Sequence, residues 1–562
     1  VLVGYQAGTS GGTGERNTML GHRAGMSIKG SSNVILGYDA AYVLSGSASG
    51  NIILGSSTGN VAASINYAVV IGDNAGYQLT GTEATAPDNV ILIGYRAGRL
   101  FTSGSGNVVV GDNAFYSAGA RQYNTVMGSG AMYDATTASS NVAIGYQSLA
   151  NLTIGDYNVA IGFQSMDAAT TINNSVAVGY NAMGAVPSGQ AVEYAIAIGS
   201  DALLGGGSTT TGPNGTVAIG ASAGRTITTG QNNTFVGYNA AYNVTTGGEN
   251  TIIGRHAGNK IDKGSSNAFL GYSAGHYATG SYNTFVGRDA GKGGQTSAPF
   301  SSGPNNTAIG YLALTSFTSA EDNTALGMMA GQLLTSGDSN TLLGNAAGRY
   351  MTTTSKTVLI GLGAGTAINS TDADGTVAIG YQAGNSMTSA QESTLIGYLS
   401  GHKMTIADYN TAVGYKTLGG NTSSALGVGG NSNVAVGNYA LGKAYDNCTK
   451  NTAIGNQSLE EVTNGKYNTA VGAYAGDNLT TGDANTYLGY YALPSAVDVT
   501  DEILIKAGTG TSMTGGGTET VRIGVETDYI TNDFGENATW THSSDRRIKK
   551  NIEDNDLGLE FI

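Results

Sequence analysis

A single cysteine, Cys448, leaves the chain without an internal disulfide and reads as a small buried filler. Proline is scarce, at 6 of 562 residues, and no Gly-X-Y period exists, which excludes a collagen triple helix. Charge is scarce as well: Asp, Glu, Lys and Arg make up 11% of the residues, and the formal net charge is -14. Phosphate binding requires clustered Lys and Arg, so nucleic acid is excluded as the partner. The one basic cluster, Arg546 to Lys550, is short and adjoins Glu553 and Asp554. No apolar run approaches the ~18 residues of a membrane-crossing helix, so no membrane insertion is expected, and no signal peptide is visible. Val1 already lies inside a repeat, and further sequence is expected ahead of it.

What is abundant is glycine, 89 residues, together with a hydrophobic content of 40% that is too high for a disordered low-complexity chain. A glycine preceded by three apolar or Thr residues recurs about 28 times from Gly4 to Gly489, most often about 17 residues apart. Copies read NTFVGYNAAYNVTTGGEN from Asn233 and NTAVGAYAGDNLTTGDAN from Asn468. Helical repeats run to about 33 to 47 residues, so a unit this short is one coil of a parallel β-solenoid.

The residue before the glycine is Val, Ile, Leu or Met, as in Val3, Ile144, Val286 and Leu488, and the one before that is also apolar or aromatic. A strand apolar on both faces needs cover on both, one from the coil interior and one from a neighbouring chain. A homo-oligomer of solenoids is expected. The third residue after the glycine is always Ala, Ser or Thr (Ala7, Ser148, Ala240, Thr417, Ala475), which marks a tight corner, and the glycine itself suits a bend or close approach between coils. Most copies begin with Asn, a residue that tolerates a left-handed turn and whose side chains, stacked coil on coil, can hydrogen-bond along the axis. Longer copies carry insertions, such as the one ending at Asn89, which read as surface loops.

The fold class is therefore all-β: a parallel β-solenoid, or β-roll, of about 28 short coils with a β-rich C-terminal neck. It is expected as an intertwined or side-by-side homotrimer. Residues 1–495 form the repeat shaft, 496–543 the neck and 544–562 a final segment of different composition. At a strand spacing of about 4.8 Å, the coils would stack to about 130 Å.

That final segment carries a second signal. Ser544-Asp545-Arg546-Arg547-Ile548-Lys549, then Lys550-Asn551-Ile552 and Leu557-Gly558-Leu559-Glu560, resembles the start of the C-terminal intramolecular chaperone autoprotease domain of phage tailspikes, tail fibres and endosialidases. The resemblance covers about the last 20 residues. It implies a chaperone that assembles a trimer and releases itself by cutting the Ser543–Ser544 bond, with Ser544 as nucleophile and Lys549 as its base. A serine hydroxyl needs such a base, and a desolvated lysine has its pKa lowered enough to serve.

The repeats, with VAIG at Val142, Val159 and Val217, also resemble the head repeats of trimeric autotransporter adhesins. Together these resemblances imply a virion tail fibre that attaches to a host surface glycan or protein receptor. A bacterial cell-surface adhesin and a polysaccharide-degrading tailspike are the alternatives. No substrate-directed enzyme activity is expected. The five histidines (His22, His256, His276, His402, His542) are scattered, so no metal or cofactor is expected either, and no carboxylate pair stands out for glycosidase chemistry. His542 reads as a surface histidine, although its place two residues before Ser544 would let it assist cleavage. The 32 tyrosines concentrate just after the repeat glycine and just before the Asn. Stacked coils would align them into aromatic ladders, serving either packing or contact with glycans.

Overall fold

Three-residue strands have one side chain pointing one way and two pointing the other. In the computed structural model the middle residue points inward: Ala143 of Val142–Ile144 is fully buried, while Val142 and Ile144 are half-buried. Ile35, Val70, Phe235, Leu342 and Ala470 repeat that arrangement. The interior is thus a column one side chain wide at each strand, with aromatic rungs such as Phe269 and Phe285 stacked 4.9 Å apart.

The structure describes residues 1–543 other than 11, 13, 44–46, 61–64, 80–87, 118, 120, 187–190, 206–211, 295–296, 298–299, 420–429, 445–446 and 536–540. Ser544, Lys549 and most of the insertion ending at Asn89 lie outside the described residues. The chain divides into two compact units, Val1–Asp289 and Ala290–Ile562. Both are all-β, with no α-helix among the described residues, and the parallel β-solenoid has about 28 turns.

In the first unit each repeat strand pairs in parallel, residue for residue, with the next. Val217, Ala218 and Ile219 face Thr234, Phe235 and Val236, which in turn face Thr251, Ile252 and Ile253. Backbone hydrogen bonds run between coils: Thr234 N–H donates to Asn250 O and Gly254 N–H to Val236 O, each at 2.8 Å. Every coil therefore satisfies its neighbours' polar groups, which is how so short a strand stays ordered.

The repeat glycine is required by two features at once. Gly145 has φ +137°, and a Cβ there would sit 2.2 Å from the carbonyl oxygen of Gly162 in the next coil. The chain then turns through left-handed residues at Gln147 and Leu149 (both φ 51°) around the buried Ser148, the small corner expected from the sequence. A third left-handed residue precedes the Asn, as at Tyr157 (φ 61°) before Asn158. The Asn itself is not left-handed at that position; of its two expected roles, the structure shows the axial hydrogen bonding. Asn250 N–H and Nδ2 donate to Asn233 Oδ1 at 2.9 and 3.1 Å, and Nδ2 also donates to Gly264 O at 3.0 Å. Its own Oδ1 accepts from Asn267 N–H at 3.0 Å, so the ladder runs through these three coils and is buried.

The second unit repeats this plan from Thr307–Ile309 onward, with Thr324, Ala325 and Leu326 facing Thr341, Leu342 and Leu343. The parallel register does not stop at Gly489: Ile503–Lys506 pairs with Thr486–Leu488, and Thr520–Val525 pairs with Ile503–Lys506. Glu502 occupies the ladder position, its N–H donating to Asn485 Oδ1 at 2.8 Å. Its buried carboxylate accepts from Tyr487 Oη, Ser495 N–H and Gly517 N–H. Asp528–Asp533 then folds back antiparallel on Thr520–Val525, and Thr541–Ser543 pairs antiparallel with Asp528–Asp533.

Candidate functional site

The outward side chains of the strands form the first candidate surface. Ile198, Ile219 and Leu270 in the first unit are 38%, 38% and 49% exposed, and Leu326, Leu343 and Ile454 in the second are 41%, 40% and 40% exposed. Within each unit these residues recur in register, one per coil, so the exposed apolar groups form stripes and not isolated spots. Scattered surface apolar residues are ordinary, but a contiguous patch marks an interaction surface.

A second surface follows the glycine. Tyr381, Tyr398 and Tyr415 stack with centroids 5.0 and 5.3 Å apart, within 10° and 7° of parallel. Tyr146, Phe163 and Tyr180 form a matching stack, as do Tyr5, His22 and Tyr38. The middle ring of each stack has both faces against neighbours and presents only its edge and, in Tyr398, a hydroxyl. Tyrosines one residue before the ladder position pack differently: a Cβ on Gly50 or Gly106 would lie 2.8 Å from Cδ1 of Tyr67, before Ala68, or Tyr123, before Asn124, so each ring rests on a glycine of the preceding coil. Both sets knit coil to coil.

The third surface is a polar groove in the first unit, of about 500 Å³, built by four successive coils. Asp201, Ser222, Arg225, Tyr238, Tyr242 and Lys260 line it. Arg225 NH1 donates to Tyr242 Oη at 2.8 Å, and its Nε lies 3.9 Å from Asp201 Oδ2. Sequence spacing does not reveal this groove, because its lining comes from residues up to 59 apart (Asp201 to Lys260).

Other candidates resolve into packing. Burial pushes the Cys448 thiol up to about 12, and its Sγ accepts from Asn451 Nδ2 at 3.2 Å, as befits a filler. The fold brings His256 and His276 to 5.9 Å between centroids, and burial, with Arg255 beside it, holds His256 below its ordinary value. No group of three His, Cys, Asp or Glu residues is placed to hold a metal ion among the described residues. Of the C-terminal site, the structure places only the backbone of Thr541–Ser543, where His542 faces Ile530 and Ser543 faces Tyr529. No protein-family model matches this chain. No curated protein matches it either.

Proposed function

We propose that this chain is a structural fibre protein of a phage tail or virion, attaching the particle to a host surface and working as a homotrimer. The observation that carries it is the outward apolar residue repeated once per coil, as at Ile198, Ile219 and Val236. A stripe repeating at the strand spacing of about 4.8 Å is matched along its length only by a surface of the same period. A second copy of this chain supplies that period, whereas an unrelated globular partner would cover a few coils and leave the rest wet. Covering each half-exposed Ile or Leu is worth on the order of 1 kcal/mol. Association costs about 4–15 kcal/mol, so a stripe along a large fraction of the coils exceeds it.

Three copies are favoured by the resemblance of the Ser544 segment to trimer-assembling chaperones and of the repeats to trimeric adhesin heads. The same resemblance favours a virion, with host attachment as the work of the variable stretches between corner and Asn.

Native mass measurement tests the assembly: the expected species is a trimer that resists dissociation. Combining Ile219→Lys with Val236→Lys, both on the outward face, is expected to yield monomers whose strand amides keep their exchange protection. A wild-type monomer, or a trimer indifferent to both lysines, would overturn this reading.

A further inference from the structure

We infer that the polar groove of the first unit is a binding subsite for a carboxylated sugar of a surface polysaccharide. The inference rests on the attachment reading and names the receptor chemistry it would use. It begins with what interrupts the aromatic stack. Where the ladders place ring on ring, the coil before Tyr238 carries Ala221 at the equivalent position, and Tyr238 is 51% exposed. Its ring contacts are His256, edge-on at 5.4 Å, and the Arg255 guanidinium at 5.8 Å, both from the following coil. The ring thus keeps a face toward the groove. The negative face of an aromatic ring is what the C–H side of a pyranose packs against, and the middle rings of the stacked ladders withhold it.

The groove's cations select the sugar. Among the described residues the Lys260 ammonium has no hydrogen-bond or ion-pair partner. Arg225 is held by Tyr242 Oη through NH1 and leans on Asp201 through Nε, leaving NH2 without a partner among the described residues. A guanidinium fixed in this way keeps part of its planar donor fork for a carboxylate at little further cost in side-chain order. Two cations against one carboxylate make the groove positive on a chain whose formal net charge is -14. Asp201 and the Ser222 hydroxyl supply acceptors for sugar hydroxyls, the mixture of one aromatic wall and a few placed polar groups that fixes a small ligand's orientation.

The test is titration calorimetry on the purified chain with two carboxylated probes, trigalacturonate and an α2,8-linked sialic acid trimer, and with their carboxyl-reduced counterparts. Saturable binding of at least one carboxylated probe is expected, weakened at least tenfold by carboxyl reduction, by Lys260→Met and by Tyr238→Ala. Tyr238→Phe should keep binding, and amide exchange should show all three variants folded. No binding of either probe at millimolar concentration overturns the inference, as does wild-type affinity in Lys260→Met or for the reduced probes. Adsorption of the same proteins to intact host bacteria separates the two claims. Adsorption that survives without oligosaccharide binding removes the groove and spares the attachment reading, whereas oligosaccharide binding without adsorption does the reverse.

Discussion

At the residue scale, the repeat glycine is the least replaceable position. Gly145→Ala combines a backbone conformation that L side chains rarely adopt with a contact of 2.2 Å to the Gly162 carbonyl oxygen, in the backbone of the next coil. Strain of this kind costs roughly 1–3 kcal/mol before the clash is counted. Because the loss falls on neighbouring coils first, hydrogen exchange is expected to show deprotection centred on the strands Thr125–Met127, Val142–Ile144 and Val159–Ile161, with distant coils unchanged. A second residue-scale effect is electrostatic. Burial, then Glu460 and Glu461, hold the Asp477 proton to about 6, with Lys443 opposing. The folded chain therefore binds more protons than the unfolded chain between about 3.8 and about 6, so this group's contribution to stability falls as pH rises through that window. Asp477→Asn is expected to raise the melting temperature at pH 7, and thermal melts below about pH 4 should show no difference from wild type.

At the element scale, the strand's parity is the sensitive quantity. Inserting one residue between Asn468 and Thr469 would turn Ala470, now fully buried, to the outside and bring an outward neighbour in. Loss of trimers by native mass measurement, with local deprotection around Thr469–Val471, is the expected result. Asn250→Ala tests the ladder: it removes the acceptor for Asn267 N–H and the donor to Gly264 O, leaving two buried backbone groups unpaired. The expected cost is about 1–3 kcal/mol per group, read as lost protection in the flanking strands.

This scale also explains what the sequence made legible. The glycine, the small corner and the inward residue are each confined to a few side-chain types by contacts within one coil or between adjacent coils, so the confinement appears as a pattern along the chain. The left-handed residue before the Asn escapes notice because Tyr, Asp, Ser, Glu and Lys all occupy it. The register beyond Gly489 escapes notice because Glu502 stands where an Asn is expected, and two of the groups that satisfy its buried carboxylate, Ser495 N–H and Gly517 N–H, come after the last repeat glycine. The groove is invisible for another reason: its lining is drawn from four coils, from Asp201 to Lys260, and no one copy of the repeat carries it.

At the scale of the whole molecule, stability is a sum of coil–coil contacts within each unit, so unfolding is not expected to follow a single two-state transition. The C-terminal segment is tested at this scale too. On expression of the full coding sequence, the wild type is expected to give two bands on a denaturing gel and Ser544→Ala one intact band. Identical band patterns from both would remove Ser544 and Lys549 from any self-cleavage.

In-register pairing has one more consequence. Each interior coil bonds to the coil before it and the coil after it through equivalent positions, so its two flanks are interchangeable with those of any other coil. Duplicating or deleting the codons for one entire coil rejoins flanks that already fit, whereas an indel of one residue within a strand does not. Length can then drift by recombination between like repeats while every remaining turn keeps its packing.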